Sequence, residues 1–375
     1  MNGFSGPVRI LAPRRPSSQF WPDLAGREFR RILIIKPSAV GDVVRALPVL
    51  TALRRRWPQA HIAWLVARHC SDVLIGHPAL NQVIYFERKA YASVGRDLSV
   101  TRAFARFLAA LRACRFQMVI DMQGLFRSGF FAWASGAEVR VGRGDARELA
   151  GLFYTHRAAV DERRMHAAVL NAGMVAPLGV KAEPSTTDLY IPEEARAGAR
   201  RTLCENGLPA GAPYVVIVPG TNWQTKNWPA QRFGQVAAGL WQRFGLRSVV
   251  VGTASQRAMA EEVRRQEPTA IDLCGASSLA ELAALIEGAR LVVANDSGPL
   301  HMADALDVPL VGIFGPTRAE VVGPFRRPEG VIRASLPCLG CGIRHLDRCP
   351  AAHSCMKSVT AADVIDLAAR QLERA

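Results

Sequence analysis

Between Leu291 and His301 the chain reads Leu-Val-Val-Ala-Asn-Asp-Ser-Gly-Pro-Leu-His, an apolar run that turns through small residues into a helical pattern. The turn, Asp296, Ser297, Gly298 and Pro299, is suited to holding an anion. Unpaired N–H groups of a first helical turn point outward, Gly298 lets a ligand come close, and Pro299 gives up no hydrogen bond there. A second segment, Pro219 to Pro229, reads Pro-Gly-Thr-Asn-Trp-Gln-Thr-Lys-Asn-Trp-Pro and follows the buried strand expected over Tyr214 to Val218. It puts Lys226 within reach of the same anion. Together the two segments imply a diphosphate binder of α/β type.

The elements that must position these residues repeat along the chain. In the first half an apolar run at Arg31–Lys36 leads through a turn, Pro37–Gly41, into a helical stretch over Asp42–Trp57 that Pro48 should bend. Strands are expected at His61–Val66, Val83–Phe86, Gln117–Asp121 and Val139–Val141, with the clearest helix at Ser99–Cys114. Composition breaks near Gly179–Pro184. Alternation then resumes, with strands at Tyr214–Val218, Ser248–Gly252, Ile271–Leu273, Leu291–Asn295 and Leu310–Phe314. Helices fall between them at Ala230–Phe244, Gln256–Gln266, Ser278–Gly288 and Leu300–Leu306. Two successive Rossmann-like units of parallel sheet follow, with ligands at the carboxyl ends of the strands and a cleft between the units. The expected domains are a disordered lead-in over 1–30, one Rossmann-like unit over 31–180, a second over 181–360, and a helix over 361–375 that packs back on the body.

Charge separates the halves. The net charge of +15 comes almost wholly from residues 1–180, with 26 Lys and Arg against 12 Asp and Glu; residues 181–375 hold 21 against 20. Arg-rich composition alone would act on both halves. The asymmetry therefore favours a polyanionic partner for the first. No run of about 18 uncharged apolar residues exists, and residues 1–30 lack the apolar centre of a secretory signal. The expected location is cytoplasmic, with the basic half drawn to anionic lipid.

Three motifs, in this order, carry a resemblance: Lys36-Pro-Ser-Ala-Val-Gly-Asp42, the Gly-Thr…Lys226-Asn-Trp-Pro segment, and Asn295-Asp-Ser-Gly-Pro-Leu-His301 followed by Gly315-Pro-Thr317. Together they resemble glycosyltransferase family 9, the ADP-heptose:lipopolysaccharide heptosyltransferases. Val119–Leu125 and Ala146–Tyr154 are most similar to the heptosyltransferase I branch. The resemblance implies a GT-B fold, two Rossmann-like domains facing across a cleft, with 31–180 binding the acceptor and 181–360 the nucleotide sugar. It also implies inverting transfer of heptose from ADP-heptose to Kdo-lipid A in lipopolysaccharide biosynthesis, at a peripheral position on the cytoplasmic face of the inner membrane.

On that resemblance Asp42 is the base that takes the acceptor hydroxyl's proton, although local sequence alone allows a helix-capping Asp equally well. A helix N-terminus would keep Asp42 ionised and make it a weak base. Lys226 would neutralise the leaving β-phosphate together with Thr221 and the turn at Ser297–Gly298. No Asp-x-Asp pair is present to hold a divalent metal, so neither metal nor cofactor is expected. Asp296 would accept heptose hydroxyls and His301 would lie near the phosphates, with a core histidine as the equal alternative. Pro299 completes the turn, and Ser38 and Gly41 neighbour the reacting centre. Arg88, Lys89, Arg127 and Arg143, with Gln123, are the acceptor candidates, since Arg forks suit carboxylate and phosphate. One departure stands out: the heptosyltransferase I pattern holds the ribose with an acid just after the strand ending at Gly252, where this chain has Thr253, Ala254 and Ser255.

Cys338, Cys341, Cys349 and Cys355 form a close set, but their spacing matches no familiar zinc finger. Reduced thiols are the expectation, with structural zinc the alternative. Other functions remain in view. A family 9 transferase using another nucleotide sugar or core position fits the missing acid. A nicotinamide-dependent dehydrogenase lacks the Gly-x-Gly-x-x-Gly it would need after the first strand. A nucleic-acid-binding protein would need a basic-aromatic stripe that is absent, so no nucleic-acid partner is expected.

Overall fold

Arg31–Ile35 and Tyr214–Val218 show no polar alternation along their length, the pattern of strands covered on both faces. The computed structural model describes residues 21–186 and 189–374, in which such runs build two parallel sheets. The first contains β1 (Arg31–Ile35), β2 (His61–Val66), β3 (Gln82–Tyr85), β4 (Met118–Asp121), β5 (Val139–Arg143) and β6 (His156–Ala158), in the order β3-β2-β1-β4-β5-β6. The second contains β7 (Tyr214–Val218), β8 (Arg247–Val250), β9 (Ile271–Asp272), β10 (Leu291–Asn295), β11 (Leu310–Ile313) and β12 (Val331–Ile332), in the order β12-β11-β10-β7-β8-β9. Both follow one plan. Each unit's first strand lies beside its fourth, where the direction of sheet growth reverses and loops part to leave a ligand site.

Register fixes what meets at these reversals. Ile35 pairs with Asp121, so Lys36 emerges beside the end of β4. Ala294 pairs with Val218, so Asn295 emerges beside Pro219. Covering helices bury apolar stripes. Residues 230–244 present Phe233, Val236, Ala237 and Leu240 to the second sheet, the spacing of one helix face. A side chain on Gly239 would collide with Ile365, so this glycine lets the helix Ala361–Glu373 close down on its neighbour.

The chain divides into two compact units at Tyr190–Ile191, later than the compositional break near 180. The first 20 residues of the expected disordered lead-in lie outside the described residues. Residues 21–30 are ordered, because Trp21, Leu24 and Phe29 are buried and a short helix, Pro22–Ala25, docks through the Trp21 amide on the Pro177 carbonyl. The single bent helix expected over Asp42–Trp57 is instead two, Val40–Val44 and Leu47–Arg56. Pro48 lies in the first turn of the second, where its missing N–H costs nothing.

Candidate active site

In the second unit, Asn295 ties the two loops at the reversal together. Its amide donates to the Pro219 carbonyl at 2.8 Å, and its Oδ1 accepts the Trp228 N–H at 3.1 Å. These bonds set the loop that carries Lys226. Its Nζ lies 2.7 Å from Asp296 Oδ2, and His301 Nε2 lies 3.4 Å from Oδ1 of the same carboxylate. The Thr317 hydroxyl donates to Asp296 at 2.7 Å. Burial alone would raise the Asp296 pKa, but the His301 hydrogen bond and the Lys226 charge hold it well below the usual carboxylate range. The N-cap of the helix Gly298–Ala305 is Ser297 and not Asp296; its hydroxyl is buried and without a partner at that helix's N-terminus. An ionised carboxylate, a lysine and open helical N–H groups thus share one strand end, an arrangement that accepts an anion beside hydroxyl groups.

In the first unit the carboxylate is only partly covered. Asp42 keeps 37% of its side chain accessible. Arg45 Nη2 donates to its Oδ1 at 2.6 Å, and the Ala39 N–H donates to its Oδ2 at 3.2 Å. Asp42 therefore does brace its own helix, yet it also remains open to a ligand. Burial pushes its pKa up, and the charges of Lys36 and Arg45 more than reverse this, so it stays ionised far below neutral pH. Behind it, Asp121 is fully buried, accepting the Tyr154 hydroxyl at 2.6 Å and the Gln123 and Gly124 amides. Gly142 makes this possible, since any Cβ there would sit inside the Tyr154 ring.

The family model for glycosyltransferase family 9 (heptosyltransferase) matches residues 104–345. Lipopolysaccharide heptosyltransferase 1 of Pseudomonas aeruginosa is 31% identical over 315 residues, covering 83% of this chain and 86% of the relative. The chain belongs to glycosyltransferase family 9. Escherichia coli heptosyltransferase WaaC with ADP superposes with a TM-score of 0.72 at 26% identity, over 91% of this chain and 99% of that one. The same enzyme with ADP-2-deoxy-2-fluoro heptose gives 0.71 at 25% over the same shares. A family 9 transferase from Veillonella parvula gives 0.75 at 24%, over 93% and 98%, and supports the fold. The fold is of the GT-B type, and the protein is a glycosyltransferase.

Within this transferase the candidate residues divide. Lys226, Asp296 and His301 form one cluster, with Ser297, Gly298 and Pro299 at the helix start beside it. Thr221 lies in the same loop, but its hydroxyl is engaged locally, donating to the Trp223 carbonyl and accepting the Trp223 amide. Gly41 and Ser38 flank Asp42, Gly41 buried within its helix and Ser38 in the preceding turn. Arg88, Lys89 and Arg127 gather around a cavity of about 560 Å³ whose walls include Phe86, Tyr91, Phe104 and Phe131. Burial and the neighbouring Arg88 charge lower the Arg127 pKa, and its guanidinium lies 5.9 Å from the Phe86 ring. Arg143 does not join them. It is buried, bidentate to Asp145 at 2.9 Å and bonded to Glu162 at 2.9 Å, so its charge is already spent internally. Gln123 follows β4 and does not line the cavity; its Oε1 is buried and without a partner.

Sequence reasoning passed over Lys36, Arg45, Asp121 and Tyr154 as site residues. The available signal was position, since Lys36 and Asp121 each stand at the carboxyl end of an apolar run. In place of an acid after Gly252, the Thr253 amide donates to Gln256 at 3.0 Å and the Thr253 and Ser255 hydroxyls pair at 2.9 Å. The cysteines Cys338, Cys341, Cys349 and Cys355 are free thiols, and burial with the three neighbouring sulfurs pushes Cys355 up to about 11. Among the described residues, no group of three His, Cys, Asp or Glu side chains could hold a metal ion.

Proposed function

We propose that this family 9 transferase moves heptose from ADP-heptose to the Kdo-lipid A inner core with inversion at the sugar's C1. The observation that carries the reading is the Lys226–Asp296–His301 cluster beside the open helix start Ser297–Gly298, built on the family's motifs at a strand-order reversal. Lys226 and the helical N–H groups neutralise the β-phosphate as the C1–O bond breaks and its electron pair leaves with ADP. Asp296 accepts sugar hydroxyls. Asp42 takes the proton of the attacking Kdo hydroxyl as the new C1–O bond forms. A carboxylate of such low proton affinity is a weak base, so positioning supplies much of the rate.

The acceptor's carboxylates and phosphates suit Arg88, Lys89 and Arg127, and the aromatic walls between them suit its sugar faces and apolar parts. No helix among the described residues is long and apolar enough to cross a membrane. Peripheral attraction of the basic first half to anionic lipid, on the cytoplasmic face of the inner membrane, brings the enzyme to its substrate. The Thr253–Ser255 turn favours a second reading, in which the donor is a different nucleotide sugar.

The deciding experiment measures ADP released from ADP-heptose with and without Kdo₂-lipid A. Acceptor-dependent release with a heptosylated lipid product is expected. Release with another nucleotide sugar and none with ADP-heptose would replace the first reading by the second.

A further inference from the structure

The indole of Trp223 holds two cations. Lys226 Nζ lies 4.4 Å from its centre, and so does the Arg344 guanidinium carbon. Lys226 is answered by Asp296, whereas Arg344 makes no ion pair among the described residues. Its segment is nonetheless firmly placed. The Thr225 hydroxyl donates to the Ile343 carbonyl at 2.5 Å, and His353 Nε2 bonds the Thr225 carbonyl at 2.8 Å. The Gly342 amide donates to the Pro316 carbonyl at 2.7 Å, which ties the same segment to the loop of Thr317, Asp296's partner. The cysteine-bearing stretch around Arg344 is therefore fastened to the Lys226 loop and to the loop after β11, whose Thr317 meets Asp296.

A guanidinium stacked on a ring keeps its N–H donors free at the rim while losing much of its motion. Both cations lie 4.4 Å from the centre of one ring, and an anion that meets them is attracted by both charges. Resting on the reading of this cluster as a nucleotide-diphosphate site, we propose that Arg344 is a second cation for the donor's diphosphate, presented beside Lys226 by Trp223. The cysteine segment thus contributes a substrate-binding side chain. His353 and Thr225 act as positioning residues for it.

The test is calorimetric titration of the full chain with ADP and with adenosine, for the unaltered protein, Arg344→Ala, Arg344→Lys, Trp223→Ala and the double variant Trp223→Ala/Arg344→Ala. Arg344→Ala should weaken ADP by about tenfold and leave adenosine unchanged, as expected for loss of one charge-assisted contact to phosphate. Arg344→Lys should recover part of this. In the Trp223→Ala background, loss of Arg344 should cost little more, because the platform is already gone. ADP affinity indifferent to Arg344, or an equal loss for ADP and adenosine, would overturn the inference. Failure of the unaltered chain to bind ADP would remove the donor reading and this inference with it.

Discussion

The two sheets share one strand order and put opposite charges to use at the same place. In the first, the reversal between β1 and β4 surrounds an accessible carboxylate with cations, Asp42 among Lys36 and Arg45. In the second, the reversal between β7 and β10 sets a lysine and a helix start around a buried carboxylate, Asp296. The strand plan supplies only a position. The sign of the chemistry comes from the few residues that follow each strand, and these differ completely between Lys36–Asp42 and Pro219–Pro229. On the proposed function, one scaffold thus carries a proton acceptor in one unit and a leaving-group site in the other.

The sharpest way to break this contrast is to neutralise the accessible carboxylate. Asp42→Asn should lower turnover by about a thousandfold or more, the loss expected when a general base is removed. ADP affinity, which the proposed function assigns to the other unit, should not move. The same rate loss accompanied by weaker ADP binding would mean that Asp42 is a structural brace and that the two strand ends do not divide the labour.

Removing the cation in the second unit should cost about a hundredfold in turnover, with weaker ADP binding in step, since on the proposed function Lys226 meets the diphosphate in both ground and transition states. Lys226→Ala also leaves the buried Asp296 without its lysine, with His301 and Thr317 as its remaining partners. Lys226→Arg, which keeps the charge, separates the effects: it should retain the thermal stability that the Ala variant loses and part of the ADP affinity. Unaltered kinetics in both variants would take Lys226 out of the site.

How far this contrast was legible in the sequence depends on where each signal resides. Strands such as Tyr214–Val218 and Leu291–Asn295 announce themselves, because a doubly covered strand must be apolar throughout and that pattern is local. β6 and β12 escaped notice. They are edge strands of three and two residues, too short to show any period. At the site, the motif residues Asp42, Lys226 and Asp296 could be singled out, whereas their electrostatic settings could not. Lys36 and Arg45 look like ordinary solvated charges until the sheet buries them, and the Asp121–Tyr154 bond exists only because β4 and β5 pair and Gly142 leaves room for the ring. Arg143 shows the converse. Its type suited an acceptor, but Asp145 and Glu162 fold onto it first.

The smallest expected effect sharpens the electrostatic half of the comparison. Asp42 works only when ionised, and Lys36 and Arg45 hold its pKa below the ordinary range. The acid limb of kcat/KM assigned to Asp42 should therefore lie well below pH 4 in the unaltered enzyme, so falling pH should leave the rate flat until other groups fail. Arg45→Gln removes one of the two cations and the charged hydrogen bond at 2.6 Å, which raises the proton affinity of Asp42. The limb should then move upward, toward neutrality, while turnover at pH 7.5 changes by less than about tenfold, because a stronger base offsets looser positioning. An acid limb that stays where it was in Arg45→Gln would show that Arg45 braces the helix and does not tune the base. The first sheet's cations would then be structural, and the sign difference between the two strand ends would rest on Lys36 alone.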